Sequence, residues 1–372
     1  MLAHRTALLI LALGLSACNG GDGGDAPTPP PDETTLRDLA QGRILVGAAV
    51  AIDPLRNDSA YGSLLGAQYD LLVAENAMKF GLIEPSRGTF FWDDADAIVD
   101  FAGQHAMAVR GHALVWHSQA GWLSPDGVNL APGVSAADLP GILENHVRTV
   151  VGRYAGKVAY WDVVNEVIAD GLAPGLNVEA ALRPSFWARS YPGASKLQFI
   201  EDAFRWAHAA DPAARLFYNE YGAEGSNSTK SEYAYALAKR LLDDGVPIHG
   251  VGLQMHVDDS GYPLDDGFAA QVKRFTDLGL QVQITEADVR LAVDGAGAAS
   301  PADLQAQAGV YHDLLAACLQ NPKVTAFLTW GLDDGHSWIP RFFAGYGAAL
   351  PFDASYAPKP AFYALRQALG GP

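Results

Sequence analysis

Basic residues, cysteine and long apolar runs are all scarce in this 372-residue chain, and each scarcity removes a class of function. Lys and Arg total 25 against 42 Asp and Glu, a formal net charge of −17. No Lys- or Arg-rich patch offsets that charge, so no nucleic-acid partner is expected; a neutral ligand suits it better. There are two cysteines, Cys18 and Cys318. Cys318 lies in the apolar helical pattern "LLAACLQ" and is expected to pack rather than react. GxSxG, HExxH and Walker A patterns are absent, which argues against a nucleophile elbow, a zinc protease site and a nucleotide phosphate loop. His112 and His117 are the nearest histidine pair on one strand. Five residues apart, they are expected on opposite faces, so no metal is expected, and no cofactor.

What is present begins with an export pattern. "MLAHRTALLILALGLSACNGG" has a basic start and an apolar run, Ala7 to Leu15, too short to span a bilayer. Leu15-Ser16-Ala17-Cys18 resembles a bacterial lipobox, which implies a signal peptide over 1–17 and a lipidated Cys18. The chain is then expected to be an exported lipoprotein at the outer membrane or cell surface, with the periplasmic side as the alternative, held there by its N-terminal lipid alone. Residues 18–35, rich in Gly, Pro and Asp, read as a flexible tether. With Cys18 so used, Cys318 has no disulfide partner. The whole chain is 49% hydrophobic and sparse in charge at 18%, enough for a sizeable core in the remainder, 36–372, which is expected to be the catalytic domain. A monomer is expected.

From Ile44 onward, short β-rich runs alternate with helical patterns. The runs are "ILVGAAVA", "YDLLVAEN", "MAVRGHALVW", "VAYWDVVNE", "ARLFYNEY", "IHGVGLQMHV", "LQVQITEADV" and "VTAFLTWGL". Eight βα units in one stretch imply an α/β fold, a single (β/α)8 TIM barrel. Seven of the runs carry polar or aromatic residues at or near their C-terminal ends. In such a barrel those ends share one face, where active sites sit.

Glu166 and Glu286 close the fourth and seventh runs, across the barrel mouth from one another. Two carboxylates among aromatic side chains are the equipment of a glycosidase: about 5.5 Å apart they retain anomeric configuration, about 6.5–9.5 Å apart they invert it. At the shorter spacing and an effective dielectric near 20, two negative charges repel by about 3 kcal/mol. That is roughly two pKa units, so one glutamate is expected to hold its proton while the other stays ionised. Residues two apart on a strand share a face, so Glu286 and Asp288 point together, as do Gln254 and His256. His256 can then donate to Glu286 while Asp288 orients the imidazole; such donors favour the ionised carboxylate, which makes Glu286 the better nucleophile of the two. Glu166, beside the amide of Asn165, is the better candidate for the general acid/base.

These residues sit in "AENAMKF", "RGHALVWHSQ", "WDVVNE", "FYNEYG", "GVGLQMHV", "QITEADV", "TWGLDDGHSW" and "LPFDASYAPKPAFYAL". In that order, and from about Leu36 to Leu369, the chain resembles the glycoside hydrolase family 10 endo-β-1,4-xylanases. The resemblance implies hydrolysis of internal β-1,4 linkages of xylan with retention, through a covalent glycosyl-enzyme on Glu286. It implies that Asn165 binds the 2-hydroxyl of the sugar being cleaved. Lys79, His112, Trp116, Gln254, His256, Trp330 and Trp338 match that sugar's pocket, Glu75 and Asn76 the next subsite, and Gln119 and Tyr221 the cleavage point. Trp338 and Gln119 are expected to crowd out a hydroxymethyl group, favouring xylose over glucose. Trp92, Trp161, Trp187 and Trp206 are expected in the core. Three positions depart from the family pattern: Phe80 for tryptophan, Ala287 for a larger apolar residue, and Glu220 for aspartate. The alternatives are a retaining β-glucanase or other β-glycosidase on the same barrel, and a surface lipoprotein that binds polysaccharide without cutting it.

Overall fold

The computed structural model describes residues 34–258 and 266–371; the expected signal peptide, Cys18 and nearly all of the expected tether lie outside the described residues. Thr35, read as the last tether residue, already belongs to the fold. It caps the helix Leu36–Ala40 in a capping box with Asp38.

Among the described residues eight strands form the barrel: β1 (Leu45–Val50), β2 (Leu71–Ala74), β3 (Ala108–Gly111), β4 (Tyr160–Asn165), β5 (Arg215–Glu220), β6 (Gly250–Leu253), β7 (Gln281–Ala292) and β8 (Val324–Thr329). Each pairs in parallel with the next, and β8 returns to β1, so the sheet closes. Closure removes the exposed edges that an open sheet would present. The expected (β/α)8 architecture is therefore present.

Helices cover the outside because each carries one apolar face. In the helix Gln198–Ala210, Phe199, Ile200, Ala203, Phe204 and Ala207 are buried, the spacing of a helix lying on a sheet. Cys318 is fully buried in the helix Pro301–Leu319, where burial pushes its thiol pKa up and keeps it protonated. Trp161 and Trp187 are buried, and Trp92 and Trp206 pack partly buried against the core. No helix among the described residues is long and apolar enough to cross a membrane.

Part of the barrel interior is polar rather than aliphatic. Arg110 on β3 donates through Nε to Asp162 on β4 at 3.0 Å and through Nη1 to Gln283 on β7 at 2.5 Å, with all three side chains buried. Gly252 on β6 makes the room: a Cβ there would stand 2.1 Å from Asn219 Oδ1 and 3.0 Å from Arg110 Nη2. The ion pair thus lies directly beneath the layer that carries the candidate catalytic groups.

Several strand ends differ from the expected ones. β3 stops at Gly111, so His112 and Trp116 stand on the loop beyond it, and strict alternation no longer governs that segment. His112 and His117 consequently border the same cleft instead of facing opposite sides. β6 stops at Leu253; Met255 takes a left-handed φ of 65°, and His256 opens a separate short strand that pairs with Asp288. Gln254 and His256 therefore reach the same site from two elements, not from one strand face. Glu286 does not end its strand either. β7 runs on to Ala292 because the strands His256–Asp258 and Tyr346–Gly347 pair with its extension.

Candidate active site

A cleft of about 850 Å³ opens at the C-terminal ends of the barrel strands. Glu75, Asn76, Lys79, His112, Trp116, Gln119, Asn165, Glu166, Tyr221, Gln254, His256, Glu286, Trp330 and Trp338 all line it. Asp288, the remaining residue expected at the site, is fully buried just behind His256.

The Glu286 carboxylate accepts on both oxygens. Asn219 Nδ2 donates to Oε1 at 2.7 Å, and His256 Nε2 lies 3.2 Å from Oε2. The other ring nitrogen of His256 lies 2.9 Å from Asp288 Oδ2, which also accepts from the Trp338 indole at 2.8 Å. Burial works against a charged His256, but the Asp288 and Glu286 carboxylates outweigh it and bring its pKa to about 10. An imidazolium then donates to both acids. Burial likewise favours neutral Glu286; the hydrogen bond from His256 and the charges of His112 and His256 overcome it, leaving the carboxyl below its usual range. Glu286 is held ionised, as a nucleophile must be.

Glu166 is differently placed. It follows β4 with a left-handed φ of 55°. Trp116 Nε1 donates to its Oε2 at 2.9 Å and Gln254 Nε2 to its Oε1 at 3.1 Å. Asn165 Oδ1 accepts from both Asn219 and Gln254, at 2.9 and 3.2 Å. Two donors on one oxygen fix the orientation of that amide. Among the described residues Asn165 Nδ2 then has no hydrogen-bond partner, although it is buried; an unmet buried donor in a cleft is free to serve a ligand. A file of amides, Asn219, Asn165 and Gln254, thus runs from one carboxylate to the other.

One wall is cationic and aromatic. Lys79 Nζ donates to Asn76 Oδ1 at 3.0 Å and lies over the Trp116 and Trp330 rings, 4.9 and 5.8 Å from their centroids. Burial lowers the Lys79 pKa against the pull of Glu286, Glu75 and Glu166. Trp330 packs edge-on against His112, centroids 5.2 Å apart, and Trp338 lies tilted against His256 at 5.0 Å. Flat apolar faces beside amide and carboxylate groups suit sugar rings. Among the described residues no group of three His, Cys, Asp or Glu side chains is placed to hold a metal.

The family model for glycosyl hydrolase family 10 matches residues 35–368. The chain belongs to glycosyl hydrolase family 10. It is 38% identical over 365 residues to endo-1,4-beta-xylanase B of Thermotoga neapolitana, covering 97% of this chain and 96% of that protein. It is 35% identical over 328 residues to "Exoglucanase XynX" of Acetivibrio thermocellus, covering 85% of this chain but 28% of that longer protein. The crystal structure of xylanase 10B from Thermotoga petrophila in complex with xylobiose superposes with a TM-score of 0.82 at 37% identity, covering 90% of this chain and 97% of that one.

Within this family 10 cleft, residues that the sequence does not mark as site candidates also take part. Asn219 binds the candidate nucleophile, Asp162 receives His112 Nδ1 at 3.0 Å, His117 lies 4.0 Å from Glu166, and Glu224 lines the cleft wall. The three departures from the family pattern spare the carboxylates. Phe80 is buried and stacks on His146 with centroids 3.9 Å apart, and Ala287 is fully buried. Glu220 is fully buried beneath Tyr221, accepting from Tyr218 Oη at 2.7 Å and from the Ile168 N–H at 3.1 Å.

Proposed function

We propose that this family 10 chain is an endo-1,4-β-xylanase that retains anomeric configuration by double displacement. The observation that carries the reading is the pair of unlike carboxylates in one cleft. Glu286 is buried and held ionised by a charged histidine, while Glu166 is approached by neutral donors and borders the open cleft. In the first step Glu166 gives its proton to the glycosidic oxygen as the Glu286 oxygen attacks the anomeric carbon, and the aglycone departs. In the second, Glu166 takes a proton from water, and that water displaces Glu286 from the same carbon. The free Asn165 amide N–H suits the 2-hydroxyl of the sugar in the cleavage subsite, a contact that strengthens as the oxocarbenium-like transition state forms.

A glucan-degrading reading has one observation in its favour, the similarity to a protein named as an exoglucanase. Release of new reducing ends from xylan, mixed-linkage β-glucan and soluble cellulose separates the two. Xylan is expected to exceed both glucans by at least about tenfold, the scale of discrimination a pocket achieves by excluding one small group. Comparable or greater release from glucan overturns the substrate. Silence on all three from folded protein supports a binding protein instead.

We further propose that Cys18 becomes the lipidated first residue of a membrane-anchored form, on the strength of the Leu-Ser-Ala-Cys pattern behind an apolar run. Mass spectrometry of the mature N-terminus from a bacterial host is expected to find a diacylglyceryl-modified Cys18. An unmodified Cys18 overturns it.

A further inference from the structure

We infer that Arg183 is a positioning residue for the general acid/base, fixing the backbone from which Glu166 reaches the glycosidic oxygen; this rests on the double-displacement reading above. Glu166 has a left-handed φ of 55°, uncommon for a residue with a side chain and therefore a conformation that its surroundings must hold. The chain beyond it folds back on itself, with Ile168 bridged to Leu182 and the Arg183 N–H donating to the Val167 carbonyl at 2.7 Å. That return brings Arg183 directly beneath Glu166.

The guanidinium then donates from all three of its nitrogens. Nε donates to the Glu166 carbonyl oxygen at 3.0 Å, and Nη2 donates to the Ile168 carbonyl at 3.1 Å and to Tyr221 Oη at 2.8 Å. Nη1 donates to Asp170 Oδ2 at 3.1 Å. One planar cation thereby ties the acid/base backbone to Tyr221 on the cleft wall. Lysine, with a single ammonium, cannot span those four acceptors.

A second layer holds the first. Lys230 donates to Asp170 Oδ1 at 2.8 Å and pairs with the buried Glu220 at 3.1 Å. Glu220 in turn accepts from the Ile168 N–H, so the segment 166–168 is gripped on its carbonyls by Arg183 and on an N–H by Glu220. The glutamate at 220, where aspartate is usual, belongs to this grip. No atom of Arg183 touches either catalytic carboxyl group in the contacts above. Its effect passes through the peptide that carries Glu166.

A leaving-group comparison tests this. Xylan needs a proton on its departing oxygen, whereas 2,4-dinitrophenyl β-xylobioside, whose phenolate leaves unaided, does not. Misplacing the acid should therefore lower kcat/KM on xylan selectively. For Arg183→Met the expected loss is about 30- to 100-fold on xylan, a partial loss of the roughly 10²–10⁴-fold that general acid catalysis supplies, against less than about threefold on the aryl glycoside. Arg183→Lys is expected to show the same split at about tenfold, and it carries the test if Arg183→Met fails to fold. Equal losses on the two substrates, or no loss on xylan, overturn the positioning role. Glu166→Ala is measured in parallel. If it does not split the substrates, the acid/base assignment itself fails. If it does and the Arg183 variants do not, only the present inference fails.

Discussion

Glu286→Gln is expected to lower kcat on xylan by on the order of 10⁴-fold or more, the scale on which an enzyme loses rate with its nucleophile. The size of the effect follows from the surroundings as well as from the lost charge. Both Glu286 oxygens are acceptors in the native site, one for Asn219 Nδ2 and one for His256 Nε2. An amide offers one acceptor and turns an N–H₂ group toward the other donor. The nearly isosteric replacement therefore removes the attacking oxygen and sets donor against donor in a buried site. It also removes one of the two carboxylates that keep His256 charged. Steady-state hydrolysis of xylan checks the prediction, with thermal unfolding run alongside to establish that the variant folds. Retention of more than about one per cent of native kcat would take the nucleophile's role away from Glu286.

The parts of this site that were legible in the sequence are those with a local signature. Polar or aromatic strand ends in seven of eight βα units indicated both the barrel and its active face. The two glutamates stood out because a carboxylate is a strange residue to meet late in an apolar strand, although Glu286 proves to lie within its strand. Asn219 shows where such reading stops. It stands in the quoted run "FYNEYG", yet nothing nearby distinguishes it from Glu220 or Tyr221. Its role comes from partners 54 and 67 residues away, Asn165 and Glu286. The two-residue alternation that grouped Glu286 with Asp288 held because β7 is continuous through both. The same rule applied to Gln254 and His256 reached the right residues through the wrong geometry, since a left-handed Met255 separates the two elements. His112 and His117 failed it outright, because the strand had already ended.

Arg110 went unread for a related reason: in sequence it is one more charged residue inside "MAVRGHALVW", and only barrel closure reveals that it has no route to water. Its expected loss is the largest on the stability side. Arg110→Met should destabilise the fold by about 3–5 kcal/mol at neutral pH, because it strands the buried Asp162 carboxylate without its cation. Native Asp162 is pushed up by burial and pulled down further by the Arg110 charge and the His112 hydrogen bond, so its pKa lies below the usual range. A depressed carboxyl contributes stability above its unfolded pKa and loses it as pH falls through the folded one. Without Arg110 the burial effect prevails, and the folded pKa moves above the unfolded one. The variant then gains relative stability as the carboxyl protonates, so its deficit should shrink between pH 7 and pH 5. Urea unfolding at both pH values measures this. A deficit under about 1 kcal/mol would mean that water reaches Asp162, and an equal deficit at both would assign the loss to packing. Because the same aspartate holds His112 at the cleft floor, the variant should also lose activity under conditions where it remains folded. The ion pair that closes the barrel interior is therefore also the base on which the sugar pocket stands.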